Sequence, residues 1–269
     1  MAIFFNPLSP IQYPEFTTHN NYIAYLRNIS KNLEINLVRK PTGSFTLNGT
    51  AQKKLRLIEM TAKSIVAEAK MVRAEPDFSV VAISWMPVKA YYLFFNFLVL
   101  LEYLYLSDSS FLSTTHARSL SKLRDLVESG HIVFSAPEFN MVKSGKEIGT
   151  FKVPKSENLK ATSPFRKEQI FKKMADYCKD ELRRKNKVTR LSKKHLTTYG
   201  TYKFALIDLL YWYRIKVNYR DLEFLSSGIP SSDFKSMYTN YFHLTSNIYF
   251  AMKKCINEIG AARGMGRII

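Results

Sequence analysis

Seventeen consecutive residues, Ala90 to Leu106 (AYYLFFNFLVLLEYLYL), carry almost nothing but large apolar groups. A segment of this kind has two resting places, a lipid bilayer or the middle of a protein core covered on every side. Crossing a bilayer takes roughly 20 apolar residues. Here the run is shorter, and Asn96 and Glu102 fall inside it, where lipid would leave their polar groups unsolvated. The reading adopted is a central helix buried on all faces, with no membrane partner. Such a helix obliges other amphipathic helices to surround it, and a chain of 269 residues that is 46% hydrophobic and 14% aromatic has the material to do so.

Those surrounding helices can be read from periodicity and caps. Leu57, Thr61, Ile65, Ala69 and Val72 recur at helical spacing, which predicts a helix from Thr50, as its cap, to about Arg73. A short helix is expected near Tyr22 to Lys31, and strands near Ile35 to Val38, Ser44 to Leu47 and Phe78 to Ser84. Thr115 to Glu128 reads as a helix stopped by Gly130. Ser163-Pro164 opens another with the stripe Phe171, Met174, Cys178 and Leu182. Thr201 to Leu225 is expected to be one long helix, and Ser231-Ser-Asp233 to cap a last one ending at Gly260, followed by a tail, Ala261 to Ile269, that is frayed or a short interaction arm.

The expected fold is therefore all-α: an up-and-down helical bundle over residues 49–269, preceded by a small irregular segment at 1–48. A basic insertion at about 131–200, partly loop with a hairpin, interrupts the bundle. The two cysteines, Cys178 and Cys255, are too few for a disulfide framework and lack C-x-x-C spacing. The start, Met1-Ala-Ile-Phe-Phe-Asn-Pro-Leu, has no signal-peptide pattern. A cytoplasmic location is the expectation.

The formal net charge is +18, and it is unevenly spread. Residues 151–200 hold fifteen Lys and Arg against five Asp and Glu, so this fifth of the chain carries +10. Its densest part comprises Arg183, Arg184, Lys185, Lys187, Arg190, Lys193 and Lys194. A helix end accounts for two or three such cations through the macrodipole. The remainder point to phosphates, hence nucleic acid, with Tyr199 and Tyr202 near enough in sequence to stack on bases of a single strand. The aromatic residues between 210 and 250 are read mainly as core. No phosphate-loop, dinucleotide or zinc-protease motif occurs, and no cluster of carboxylates suggests a metal site. No cofactor is expected.

The segment Lys89-Ala-Tyr-Tyr-Leu-Phe-Phe-Asn-Phe, the helix start Ser113-Thr-Thr-His116-Ala-Arg118, and the stretch Arg214-Ile-Lys-Val-Asn218-Tyr219-Arg220-Asp221 follow one another in an order that resembles the HEPN (higher eukaryotes and prokaryotes nucleotide-binding) family. Ile229-Pro-Ser-Ser-Asp-Phe then leads into the final helix, as in that family. The likeness covers about 85–130 and 200–260. It implies RNA as the partner ahead of DNA, a homodimer or a partner protein such as a nucleotidyltransferase, and toxin–antitoxin or antiphage defence as the setting. HEPN ribonucleases cut RNA without metal through an Arg-x(4–6)-His motif, in which an imidazole moves the 2′-hydroxyl proton and a guanidinium steadies the oxyanion.

In this chain no histidine follows Arg214 at that distance. One Arg-x(4)-His occurs elsewhere, Arg190 with His195, inside the basic insertion. The candidate catalytic residues are thus Arg190 and His195, or His116 with Arg214. The candidate nucleic-acid contacts are the seven cations above with Asn218, Tyr219 and Arg220. Against these stand plainer readings: His116 as a helix-start cap, and Arg214 as the partner of a carboxylate such as Glu102 or Asp221. Three functions follow: a nucleic-acid-binding protein, a metal-independent endoribonuclease, or a structural subunit of a larger complex.

Overall fold

The computed structural model describes residues 14–154, 160–219 and 231–269, and side chains over 16–154, 160–215 and 232–269. The chain is mainly α-helical. The helices are α1 (Pro14–Ile29), α2 (Gly49–Ala74), α3 (Ser79–Leu106), α4 (His116–Glu128), α5 (Gly145–Gly149), α6 (Arg166–Lys185), α7 (Lys193–Thr201), α8 (Leu209–Tyr219) and α9 (Ser231–Ala262). Among the described residues four short strands, β1 (Ile35–Leu37), β2 (Ile132–Phe134), β3 (Val142–Ser144) and β4 (Lys203–Ala205), form two antiparallel pairs, β1 with β2 and β3 with β4.

The apolar run lies in α3, and α3 is the axis of the molecule. Helices α2, α4, α8 and α9 pack around it, and α1 packs on α9. Twelve successive residues from Leu93 to Leu104 are all buried, so every face of this stretch is covered. By length and composition Pro76–Leu106 could cross a membrane; its second half is spent on neighbouring helices, whereas Val81 and Trp85 in its first half are exposed. Glu102, fully buried, is accommodated by Ser119 of α4, whose Oγ donates to its carboxyl at 2.5 Å. The carboxy-terminal end of α3 closes on Ser107 in the left-handed region (φ 59°), and Arg263 donates to the Ser107 hydroxyl at 2.6 Å, placing a cation where the helix dipole is negative.

Several expectations change. Residues 79–84 are helical, not a strand: β-branched residues favour strands only weakly, and packing inside the bundle overrides that preference. Residues 44–47 form no strand. The cap of α2 is Asn48, whose side chain accepts from the Ala51 amide, and the buried stripe is Ala51, Ile58, Ile65 and Val72 rather than one through Leu57, which is 46% exposed. The amino-terminal region is less irregular than expected, since α1 buries Ile23 and Leu26 completely. The helix expected at 201–225 is broken: β4 and a 3-10 turn precede α8, because Asp208 caps the Ala205 amide and starts the helix late. Among the described residues of 131–162 there is no hairpin. Instead β2 and β3 each pair with distant strands. The tail does not fray, for the Ile268 and Ile269 amides both donate to Asn257 Oδ1 at 2.9 Å.

Candidate functional site

Four residues of α3, Tyr91, Tyr92, Phe95 and Asn96, stand one helical turn apart in two pairs and so share a face. Three other helices bring nitrogen-bearing side chains to that face. From α4 comes His116. Thr115 is the cap here, its hydroxyl accepting from the Arg118 amide at 3.3 Å, which frees the imidazole to turn onto α3. Its Nδ1 lies 2.7 Å from the Tyr91 hydroxyl and its ring centre 4.2 Å from that of Phe95. The expectation that His116 caps its helix is thereby overturned.

From α8 comes Arg214, only 8% exposed. Its Nη2 donates to the Tyr92 hydroxyl at 3.1 Å, and its guanidinium carbon lies 5.4, 5.3 and 5.9 Å from the ring centres of Tyr91, Tyr92 and Tyr211. Its Nε is buried with no acceptor. Among the described residues no carboxylate forms an ion pair with it. Glu102, one of the two expected partners, is engaged by Ser119; Asp221, the other, lies outside the described residues. From α2 comes Lys54, whose Nζ donates to Asn96 Oδ1 at 3.3 Å and lies 5.9 Å from the Phe95 ring centre.

These three nitrogen-bearing side chains meet on one face of α3, and among the described residues no carboxylate forms an ion pair with them. Burial lowers the pKa of His116, and the nearby charges of Arg214 and Lys54 lower it further. Burial also lowers that of Lys54. Burial raises that of Tyr91 strongly, so its phenol keeps its proton. At neutral pH the site therefore presents a neutral imidazole beside a permanent cation. Cation–π contact with three rings is worth about 2 kcal/mol or more when desolvated, but it leaves the buried Nε without an acceptor, the kind of vacancy that an anion's oxygen fills.

The basic run is built differently. Arg183 pairs with Asp180 at 2.5 Å, and Arg184 makes two bonds to Glu181, at 2.5 and 3.2 Å. Lys185 is also within ion-pair distance of Glu181, at 4.0 Å. Lys187, Arg190, Lys193 and Lys194 have no ion pair among the described residues, and all four are exposed. His195 is committed to a cap: its Nδ1 accepts from the Ser192 amide, and its own amide donates to Ser192 Oγ, each at 3.4 Å. Among the described residues no hydrogen bond or ring contact joins it to Arg190, so the structure brings together His116 and Arg214, both against Tyr91, and does not bring together the other candidate pair. Tyr199 is buried against α5 rather than offered to a strand, whereas Tyr202 is 40% exposed. The side chains of Asn218 and Tyr219 and the whole of Arg220 lie outside the described residues.

Lys54, Phe95 and Asn96 join the site through the fold and not through any motif. Asn96 carries a signal all the same, as a polar group in an otherwise apolar run. Among the described residues no group of three His, Cys, Asp or Glu could hold a metal ion. The chain matches no family model, no curated protein and no solved structure.

Proposed function

We propose that this chain binds RNA and seats a backbone phosphate against Arg214, Lys54 and His116, with the exposed cations of the basic run attracting the rest of the strand. The observation that carries this reading is the burial of Arg214 among tyrosines with no carboxylate ion-paired to it among the described residues. A guanidinium in such surroundings is held at a cost that a bound anion offsets. The meeting of His116 and Arg214 across Tyr91 and Tyr92 also supports a HEPN-like identity, and with it a role in a toxin–antitoxin or antiphage defence system. Fluorescence anisotropy with a labelled single-stranded RNA at graded salt tests the binding. Arg214→Ala is expected to cut affinity far more than any single substitution in the basic run. Undiminished affinity in that variant removes the phosphate site.

One observation favours chemistry as well. His116 is neutral and bound through Nδ1, which leaves Nε2 as the nitrogen able to exchange a proton. With Nδ1–H donated to the Tyr91 oxygen, Nε2 takes the proton of a ribose 2′-hydroxyl. The oxygen attacks the adjacent phosphorus, the bond to the 5′-oxygen breaks, and that oxygen leaves with a proton from the solvent or the imidazolium. Arg214 and Lys54 steady the charge on the non-bridging oxygens. Cleavage in EDTA of RNA but not DNA, lost in His116→Ala while binding persists, is the expected signature. Equal cleavage by the His116→Ala protein removes the catalytic reading and leaves the binding one.

A further inference from the structure

We infer that the cleft between the insertion and the bundle receives an unstacked nucleobase, so that the ligand is a single strand; this rests on the phosphate reading above. The cleft measures about 600 Å³ and is walled by α4, α6, α8 and the segment Thr201–Phe204. That size falls in the range of small-molecule sites, on the order of 300–1,000 Å³.

Its chemistry is unlike that of the neighbouring site. Three cations line it, Arg124, Lys185 and Lys203, and three carboxylates, Asp125, Glu181 and Asp208. Balanced charge gives a phosphate no net attraction. Aromatic side chains also line it, with Trp212 and Tyr211 set edge to face at 5.5 Å and Tyr202 exposed at the rim. Flat apolar walls with scattered polar groups suit a base, whose faces are apolar and whose edges are polar.

Two further details fix the assignment. Asp208 is 2% exposed; its Oδ2 accepts from Arg124 at 2.9 Å and from the Ala205 amide at 2.8 Å, but its Oδ1 is buried with no donor. An exocyclic amine or ring N–H entering beside Arg124 supplies one. Tyr211 belongs to both places, one side of it lining this cleft and its ring lying 5.9 Å from the Arg214 guanidinium. A nucleotide can thus set its phosphate at Arg214 and turn its base past Tyr211 into the cleft. A paired base cannot make that turn.

The probes are a short single-stranded oligoribonucleotide, its blunt duplex, and the same strand made abasic, read by anisotropy and by Trp212 fluorescence in a Trp85→Phe background. Stacking on an aromatic side chain is worth about 1–3 kcal/mol per base. The ordinary strand should therefore bind about ten-fold more tightly than either comparison probe and should quench Trp212. Trp212→Ala should lower its affinity to that of the abasic strand without altering the latter, and Trp212→Phe should restore most of the loss. Equal binding of all three probes overturns the base pocket and leaves the phosphate site intact. Failure of all three to bind in dilute salt overturns both.

Discussion

The basic run at 183–194 and the cleft at Arg214 are both positive, yet they differ in nearly every respect that governs what a charge is worth. The run lies at the surface, and Arg183, Arg184 and Lys185 face carboxylates of their own helix. Water and salt screen it, so each ion pair it forms with a polyanion is weak. The Arg214 site has fewer cations, but they are wholly or partly buried and no carboxylate among the described residues is ion-paired to them. On the proposed reading, number draws a polyanion in and burial decides where it comes to rest.

If burial has this weight, the largest effect belongs to a different buried group on the same helix as the tyrosines. Desolvation pushes the Glu102 carboxyl up to about 8, with the Ser119 hydroxyl and the charges of Lys122 and Arg118 opposing the rise. Between the ordinary carboxylate range and pH 8 the folded protein holds a proton that the unfolded chain has released. Stability is thus full at low pH and falls by about 1.4 kcal/mol per pH unit across that window. Denaturant unfolding of Glu102→Gln should lack this slope and exceed the natural protein most above pH 8. Parallel pH profiles for the two would show that burial of this carboxyl costs nothing.

Next in size is Arg214→Met. Charge-assisted hydrogen bonds of a guanidinium are worth about 1.5–3 kcal/mol, so RNA affinity should fall roughly ten- to a hundred-fold. Stability should change little, since the substitution strands no described carboxylate. Wholesale unfolding instead would make the guanidinium a strut and return the contrast between the two regions to one of number alone.

Within the run itself, alanine at Lys187, Arg190, Lys193 and Lys194 should flatten the salt dependence of binding by close to one unit for every phosphate left unneutralised. Alanine at Arg183 and Arg184 should do less, because their carboxylate neighbours already hold them. Equal slopes for the two sets would remove the distinction. The smallest signal is at His116. An anion in the cleft offsets the charges of Arg214 and Lys54 that depress its pKa, so the imidazole should titrate higher in the complex, as followed by NMR. A pKa unmoved by saturating RNA would place the phosphate elsewhere.

What is legible in the sequence is what depends on near neighbours. The apolar run demands a buried helix, Thr115 marks the start of α4, and Ser231-Ser-Asp233 that of α9. The phase of α2 is not legible, because Leu57 and Ile58 are both apolar and only the packing chooses between them. Residues 201–208 have an apolar spacing that fits a helix; the break comes from Asp208 bonding backwards to Ala205 and from pairing with β3. The site follows the same division. His116 and Arg214 stand out by residue type and order, whereas their connection through Tyr91 and Tyr92 joins residues 25 and 122 positions apart. Such closeness belongs to the fold, and no local pattern announces it.

The pairing of Val142, Lys143 and Ser144 with Ala205, Phe204 and Lys203 makes the two ends of the basic excursion into neighbours. The chain returns beside its own point of departure, through one doorway, and closing that loop costs entropy that three residue pairs help to offset. Since β4 also feeds directly into α8, the doorway and the position of Arg214 are mechanically joined. If the proposed RNA site is right, a crosslink placed across it stiffens the grip on a bound strand, and a proline at Phe204 slackens both together.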